Sequence, residues 1–322
     1  FKIHKFFHQK TPIMKKILLF FLLLSSLIRS QIISEDLVQA HLVTLSSDEM
    51  QGRKAGTSGI EKAASYIESE FERIGLSKFN ETESYRQNFR AQGLELFNVL
   101  GFLEGKSKPK EIVVISAHYD HLGVDEKLNG DKIFNGANDN ASGVTAVLAI
   151  AEHYSVKRTN ERSLLFVAFT AEEMGLIGSK YFGTTIEPEN YIAGVNIEMI
   201  GKESPFGPNT AWLTGFDRTT FGQMIQKNLA GSEFQVFPDP YENYNLFYRS
   251  DNAALAKLGI PAHTISTSPM DKDLDYHKVT DEASTLNPST ITTTIKAIIT
   301  GTESIVMGRD TPSRPRVTME MQ

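Results

Sequence analysis

The sequence predicts an α/β protein: one three-layer α/β/α domain around a mixed, mostly parallel sheet. Two observations carry that expectation. Nearly pure apolar runs recur along the chain ("EIVVISA", "LLFVAF", "YIAGVNI"), and stretches with helical spacing separate them. Strands that apolar are buried on both faces, and their alternation with helices means helices above and below the sheet. There is no internal repeat and no low-complexity linker after residue 30, so residues 31–322 are read as a single domain.

Met14 opens "MKKILLFFLLLSSLIRSQ", with two lysines, an apolar run over 17–24 and then small and polar residues. That pattern is a secretory signal peptide, too short for a transmembrane helix. Residues 1–30 are therefore expected to be a leader, with 1–13 upstream of the true start and 14–30 the signal peptide. The protein would be exported, to the periplasm or beyond the cell, with no stable membrane insertion after cleavage. The chain has no cysteine, which excludes disulfides, thiolate ligands and a cysteine nucleophile. Without residues 1–30 it carries 27 Lys and Arg against 39 Asp and Glu, and no basic stripe for nucleic acid remains.

Residues 34–46 and 59–74 show helical spacing, the second stopped by Gly75. Extended segments are expected over 85–91 and 98–104, then a strand "EIVVISAHYD" and a helix "SGVTAVLAIAEHYS" capped by Ser142. A strand "SLLFVAFTAEE", a short helix "GLIGSKYF" and a strand "YIAGVNIEMI" follow. Then come "TAWLTG" as strand, "RTTFGQMIQKNL" as helix, "DNAALAKLG" as helix, "IPAHTIST" as strand and a last helix over 288–306. Ligands of such sheets gather at the carboxyl ends of the strands.

The polar residues fall there. Alternation through "SAHYDHLG" puts His118 and Asp120 on one face and His121 on the other. A histidine ligand passes its second ring N–H to a carboxylate, and Asp120 is placed for that, although such a pair is equally a loop contact. Asp139 in "NGANDNASGV" sits in a tight turn before a helix. Glu172 and Glu173 end an apolar strand, and two carboxylates held together repel unless a cation lies between them. Glu198 ends "GVNIE", where an unpaired buried carboxylate is costly. His277 lies in the acidic segment "LDYHKVTDE". Imidazole and carboxylate donors without thiolates suit zinc or another first-row divalent ion.

Together "AHYDH", "GANDNASG", "AEEMGLIGS", "NIEMIG", "RSDNAALAKLGIPA" and "DYHKVTDE" resemble the successive motifs of the co-catalytic zinc peptidases of the M28 type. "EMQGRKAGTSG" resembles the same family's N-terminal segment. The resemblance implies an exported zinc aminopeptidase acting on peptides, with two Zn²⁺ bridged by Asp139. His118 and Glu198 would complete one site, Glu173 and His277 the other. Glu172 would be the general base, exchanging a proton with attacking water and departing amine. Asp120 would hold His118, and Ser250 and Asp251 would support the first metal's ligands. The resemblance also implies a cis peptide at Asp139–Asn140. Aspartate is common where this chain has Glu198, one methylene longer, so that site could hold its ion loosely.

A glutaminyl cyclase-like enzyme with one zinc, and a non-catalytic binding module, are the alternatives within the same fold. His263 is expected in the core or a loop, and His41 and His153 at the surface. Residues 241–248 ("YENYNLFY") supply either an aromatic pocket wall or a buried cluster, and Arg249 has no role assigned.

Overall fold

The computed structural model describes residues 33–81 and 83–315. The leader expected over 1–30 lies outside the described residues. Val38, Leu42 and Leu45 form the buried stripe of α1 (Glu35–Leu45), whose first turn is capped by the Ser34 hydroxyl. Ile60, Ala63, Ala64, Ile67 and Phe71 form that of α2 (Ser58–Arg73). Gly75, at φ 75°, ends α2 and turns the chain into β1 (Ser77–Lys78), as its sequence position predicts.

The chain continues through β2 (Arg86–Ala91), β3 (Leu94–Leu103), β4 (Lys108–His118) and the small hairpin β5 (Gly123–Val124) and β6 (Ile133–Phe134). An irregular turn at Ala137–Ser142 leads into α3 (Gly143–Lys157), then β7 (Arg162–Phe169), α4 (Ile177–Gly183), β8 (Tyr191–Ile197) and β9 (Thr210–Leu213). Last come α5 (Phe221–Leu229), β10 (Gln235–Pro238), α6 (Asn252–Lys257), β11 (Ala262–Ser266) and α7 (Pro288–Val306).

The main sheet runs β1–β3–β7–β4–β8–β11–β9–β10, with β2 also paired to β3. Its centre, β7–β4–β8–β11, is parallel; β3–β7 and β11–β9 are antiparallel. Alternation divides the core. Leu164, Phe166 and Ala168 of β7 pack with α1, α2, α3, α5 and α7 on one face, while Leu165, Val167 and Phe169 pack with Phe182 of α4 and Leu255 of α6 on the other. This is the expected three-layer α/β/α arrangement with a mixed, mostly parallel sheet.

Some local expectations fail. Ser142 does not cap α3: its hydroxyl donates to the Asn138 carbonyl (2.7 Å) and accepts from the Ile200 N–H (3.1 Å), while Asn140 Oδ1 receives the Gly143 N–H (3.0 Å). His41 is buried rather than at the surface, its Nδ1 2.6 Å from the Tyr66 hydroxyl between α1 and α2. His153 is half-buried against Tyr154. His263 lies in the core, as expected, between the Thr219 hydroxyl (2.8 Å) and the Thr214 carbonyl (2.9 Å); burial lowers its pKa to about 4.

Candidate metal centre and active site

The parallel strands β4, β7 and β8 end side by side, and the chain turns sharply after each. Ala171, just before Glu172, and Met199, just after Glu198, both have positive φ, as does His277. Non-glycine residues adopt that region rarely and at a cost, and such positions concentrate at functional sites. Here they swing the flanking carboxylates and the imidazole toward one point. The Asp139–Asn140 peptide is cis, as the resemblance implies.

Asp139 is at the centre. Its Oδ1 lies 3.2 Å from His118 Nε2, and its Oδ2 lies 3.1 Å from His277 Nε2. Glu198 Oε1 is 3.3 Å from His118 Nε2, and Glu173 Oε1 is 3.2 Å from His277 Nε2. The five residues assigned from the sequence thus form two trios that share Asp139 through different oxygens. Donors of a tetrahedral zinc bound at about 2.1 Å lie about 3.4 Å apart, and each imidazole stands at nearly that distance from the two carboxylates beside it. Their chemistry, neutral imidazole and carboxylate, suits zinc, and the residues fit the metal.

The surrounding structure fixes each donor. Asp281 accepts the backbone N–H groups of Asn138 (2.8 Å) and Asp139 (3.0 Å), holding the turn that carries Asp139. Asn140 ties the same turn to the end of β8 through the Ile197 carbonyl (3.0 Å) and the Met199 N–H (3.2 Å). Ser250 donates to Glu198 Oε1 (2.7 Å) and accepts from Asn196 Nδ2 (2.7 Å), whose own Oδ1 takes the Ser116 hydroxyl (3.0 Å). The expected support of Glu198 by Ser250 is thus a hydrogen-bonded chain rooted in β4 and β8. Asp251 is buried beneath it, with both oxygens unpaired among the described residues; the Ser179 hydroxyl turns instead to the Leu176 carbonyl.

Asp120 works differently from its sequence reading. His118 Nδ1 meets the Asp120 main-chain carbonyl at 3.1 Å, while the nearer carboxylate oxygen stands 3.8 Å away. A carbonyl only accepts, so Nδ1 carries a proton and Nε2 is the nitrogen turned to Asp139 and Glu198, where it donates to these carboxylates without an ion and would offer its lone pair to one. The Asp120 carboxylate instead accepts the backbone N–H groups of Glu172 (3.0 Å) and Glu173 (3.3 Å), aligning β7's exit with β4's.

His121 is the other correction. Alternation placed it on the opposite face, but β4 ends at His118, and the ring enters the site with Nδ1 2.9 Å from Glu173 Oε1. His121, Asp139 and Glu173 lie close enough together to hold an ion among themselves. In the fold Gly136 packs against the ring, where a Cβ would stand 2.5 Å away, a contact that the sequence does not mark.

The charges respond to this crowding. Burial raises Asp139 but the His118 and His277 hydrogen bonds overcome it, leaving the carboxylate well below its usual range. Burial pulls His277 down while Asp139 and Glu173 push it up, to about 10. Glu172 moves the other way, held well above the ordinary carboxylate range by burial and by the neighbouring Glu198 and Asp251 charges. It makes no side-chain hydrogen bond among the described residues, and it faces a cleft that it lines with His118, Asp139, Glu173, Glu198 and His277. Met199, Trp212, Leu246, Met270 and Tyr276 form the apolar side of that cleft, and Arg249 stands at it with the metal-site residues. Of "YENYNLFY" only Leu246 reaches the cleft: Phe247 is buried, and Tyr241 and Tyr244 stack on each other outside it.

An α/β/α sheet whose parallel strand ends hold a shared aspartate between two imidazole–carboxylate trios defines a class of metal-dependent hydrolases. The chain belongs to peptidase family M28, whose family model matches residues 98–302. It is similar to leupeptin-inactivating enzyme 1 of Streptomyces exfoliatus, 27% identical over 237 residues that cover 70% of this chain and 47% of the relative. The chain spans less than half the length of the curated relatives it matches. The fold is similar to that of BSAP, a zinc aminopeptidase from Bacillus subtilis (TM-score 0.71, 14% identity, 86% of this chain and 97% of that one). It is also similar to a glutaminyl cyclase of Bacteroides thetaiotaomicron (TM-score 0.65, 18% identity, 86% and 99%).

Proposed function

We propose that this protein is an exported zinc aminopeptidase that uses two metal ions. The observation that carries the reading is the split of Asp139, with Oδ1 toward His118 and Oδ2 toward His277. Zinc held there would supply an acidified water and Lewis-acid polarisation of a substrate carbonyl. His118, Asp139 and Glu198 would hold one ion, and Asp139, Glu173 and His277 the other.

Glu172 is the general base and then the general acid. Its carboxyl lines the cleft and makes no side-chain hydrogen bond among the described residues, so it is free to take a proton from the attacking water and return it to the departing amine. Met199, Trp212, Leu246, Met270 and Tyr276 offer an apolar wall, so the N-terminal side chain removed is expected to be apolar. Export rests on Lys15 and Lys16 ahead of the apolar run over 17–24, and N-terminal sequencing of protein recovered outside the cytoplasm checks it.

Glu172→Gln is the direct test. It keeps the shape of the site, so bound zinc is retained and turnover is lost. More than about a tenth of wild-type rate would remove Glu172 from the reaction, since general acid–base groups contribute roughly 10²–10⁴-fold. Glutaminyl cyclisation by one zinc is the second reading, favoured by Glu198, the longer donor on the His118 side. The matched pair His118 and Asp139 Oδ1 favours two ions.

A further inference from the structure

We propose that His121 positions Glu173 through an Nδ1–H hydrogen bond and is not itself a metal ligand. The inference rests on the zinc reading above. His121 is fully buried and lies behind Glu173, away from the cleft that Glu173 and His277 line. Its proximity to Asp139 and Glu173 makes it a candidate ligand by distance alone; its hydrogen bonding decides otherwise.

Nδ1 lies 2.9 Å from Glu173 Oε1 and 3.9 Å from Asp139 Oδ2. A carboxylate only accepts, so Nδ1 carries the proton. Nε2 is buried with no hydrogen-bond partner among the described residues. With the proton on Nδ1, what is buried there is an unused lone pair. Ligation through Nδ1 would move the proton to Nε2 and bury an N–H without an acceptor, the costlier defect. His118 shows the contrast: its far nitrogen has the Asp120 carbonyl, the partner that a ligating histidine normally has.

The ring is also locked from two sides. The His121 main-chain N–H donates to the Arg53 carbonyl (3.2 Å), and Gly136 lies against the ring where a Cβ would collide. Arg53 fixes that wall, its guanidinium donating to the carbonyls of Tyr119 (2.9 Å), Leu45 (2.7 Å), Asn135 (2.6 Å) and Gly136 (2.9 Å). Glu173 is therefore aimed before any ion arrives, through a histidine that the "GR" of residues 52–53 and the "NG" of 135–136 hold in place.

Nitrogen-15 NMR of His121 in wild-type protein, metal-free and zinc-loaded, tests the assignment without a variant. The Nδ1–H form is expected in both states. A proton that moves to Nε2 when zinc is added makes His121 a ligand and overturns the proposal. Zinc affinity, read by chelator competition, supplies the second arm. His121→Leu is expected to lose about 10–100-fold at one ion, and His121→Asn, whose amide N–H stands where Nδ1–H stood, to recover most of it. Wild-type affinity in His121→Leu, or no recovery in His121→Asn, contradicts positioning. Wild-type protein that binds no zinc would defeat the zinc reading, and the tautomer of the metal-free protein still tests the Glu173 contact.

Discussion

A single hydroxyl fixes the Glu198 carboxylate where it stops: Oε1 accepts from Ser250 (2.7 Å) and lies 3.3 Å from His118 Nε2, just past the end of β8. Ser250→Ala removes that stop while leaving the fold intact. We expect zinc affinity on the His118 side to fall about tenfold or more, as for other partners of metal ligands; an unchanged zinc titration contradicts it. Asp251 makes a different prediction. Burial raises its pKa from 3.8 to about 7, against the pull of His118. Between those values the unfolded chain has lost the proton that the folded chain keeps, so rising pH favours unfolding. Urea unfolding of metal-free protein at pH 5 and pH 7 should show this loss of stability, and Asp251→Asn should lessen it. Identical pH dependence in the two proteins rules out Asp251 as its source.

Elements place these residues with a precision that sequence periodicity only partly foresees. β4, β7, β8 and β11, with α1, α2 and α7, were legible because their apolar patterns are long and their ends are marked by Gly75 and Pro288. The β5–β6 hairpin was not, because two residues in each strand leave no period to read, and β10 was missed although β9, equally short, was expected as "TAWLTG". The candidate ligands stood out as residue types at strand ends, their assignment to two ions being what the resemblance implied, whereas the contacts of Asp120 and His121 depend on β4 stopping at His118, two residues before the expected end. The loop that carries His277 was legible only as an acidic segment. In the fold Lys202, just past Glu198's strand, pairs with Asp273 and with Asp275 (2.7 Å) and ties that loop to β8. Lys202 and its two partners are largely shielded, so the tie resists screening better than a surface pair. Lys202→Met should therefore weaken zinc binding on the His277 side severalfold while changing thermal stability little. A large loss of stability with normal zinc binding would assign Lys202 to the fold instead.

At the scale of the whole molecule, the sheet brings together residues from 118 to 277 because parallel strands deliver all their carboxyl ends to one edge. That edge concentrates the carboxyl groups of Asp139, Glu172, Glu173, Glu198 and Asp251. The two dications of the proposed reading would offset their crowding. Removing them with a chelator should lower the melting temperature, and restoring zinc should return it, because an ion that binds only the folded state stabilises it by mass action. A melting temperature indifferent to zinc contradicts this. Counting zinc per chain in protein assayed against N-terminal aminoacyl and glutaminyl substrates tests the proposed two-ion aminopeptidase. Two zinc ions and release of apolar N-terminal residues are expected. One zinc ion with pyroglutamyl product, and no amino acid released, would contradict it.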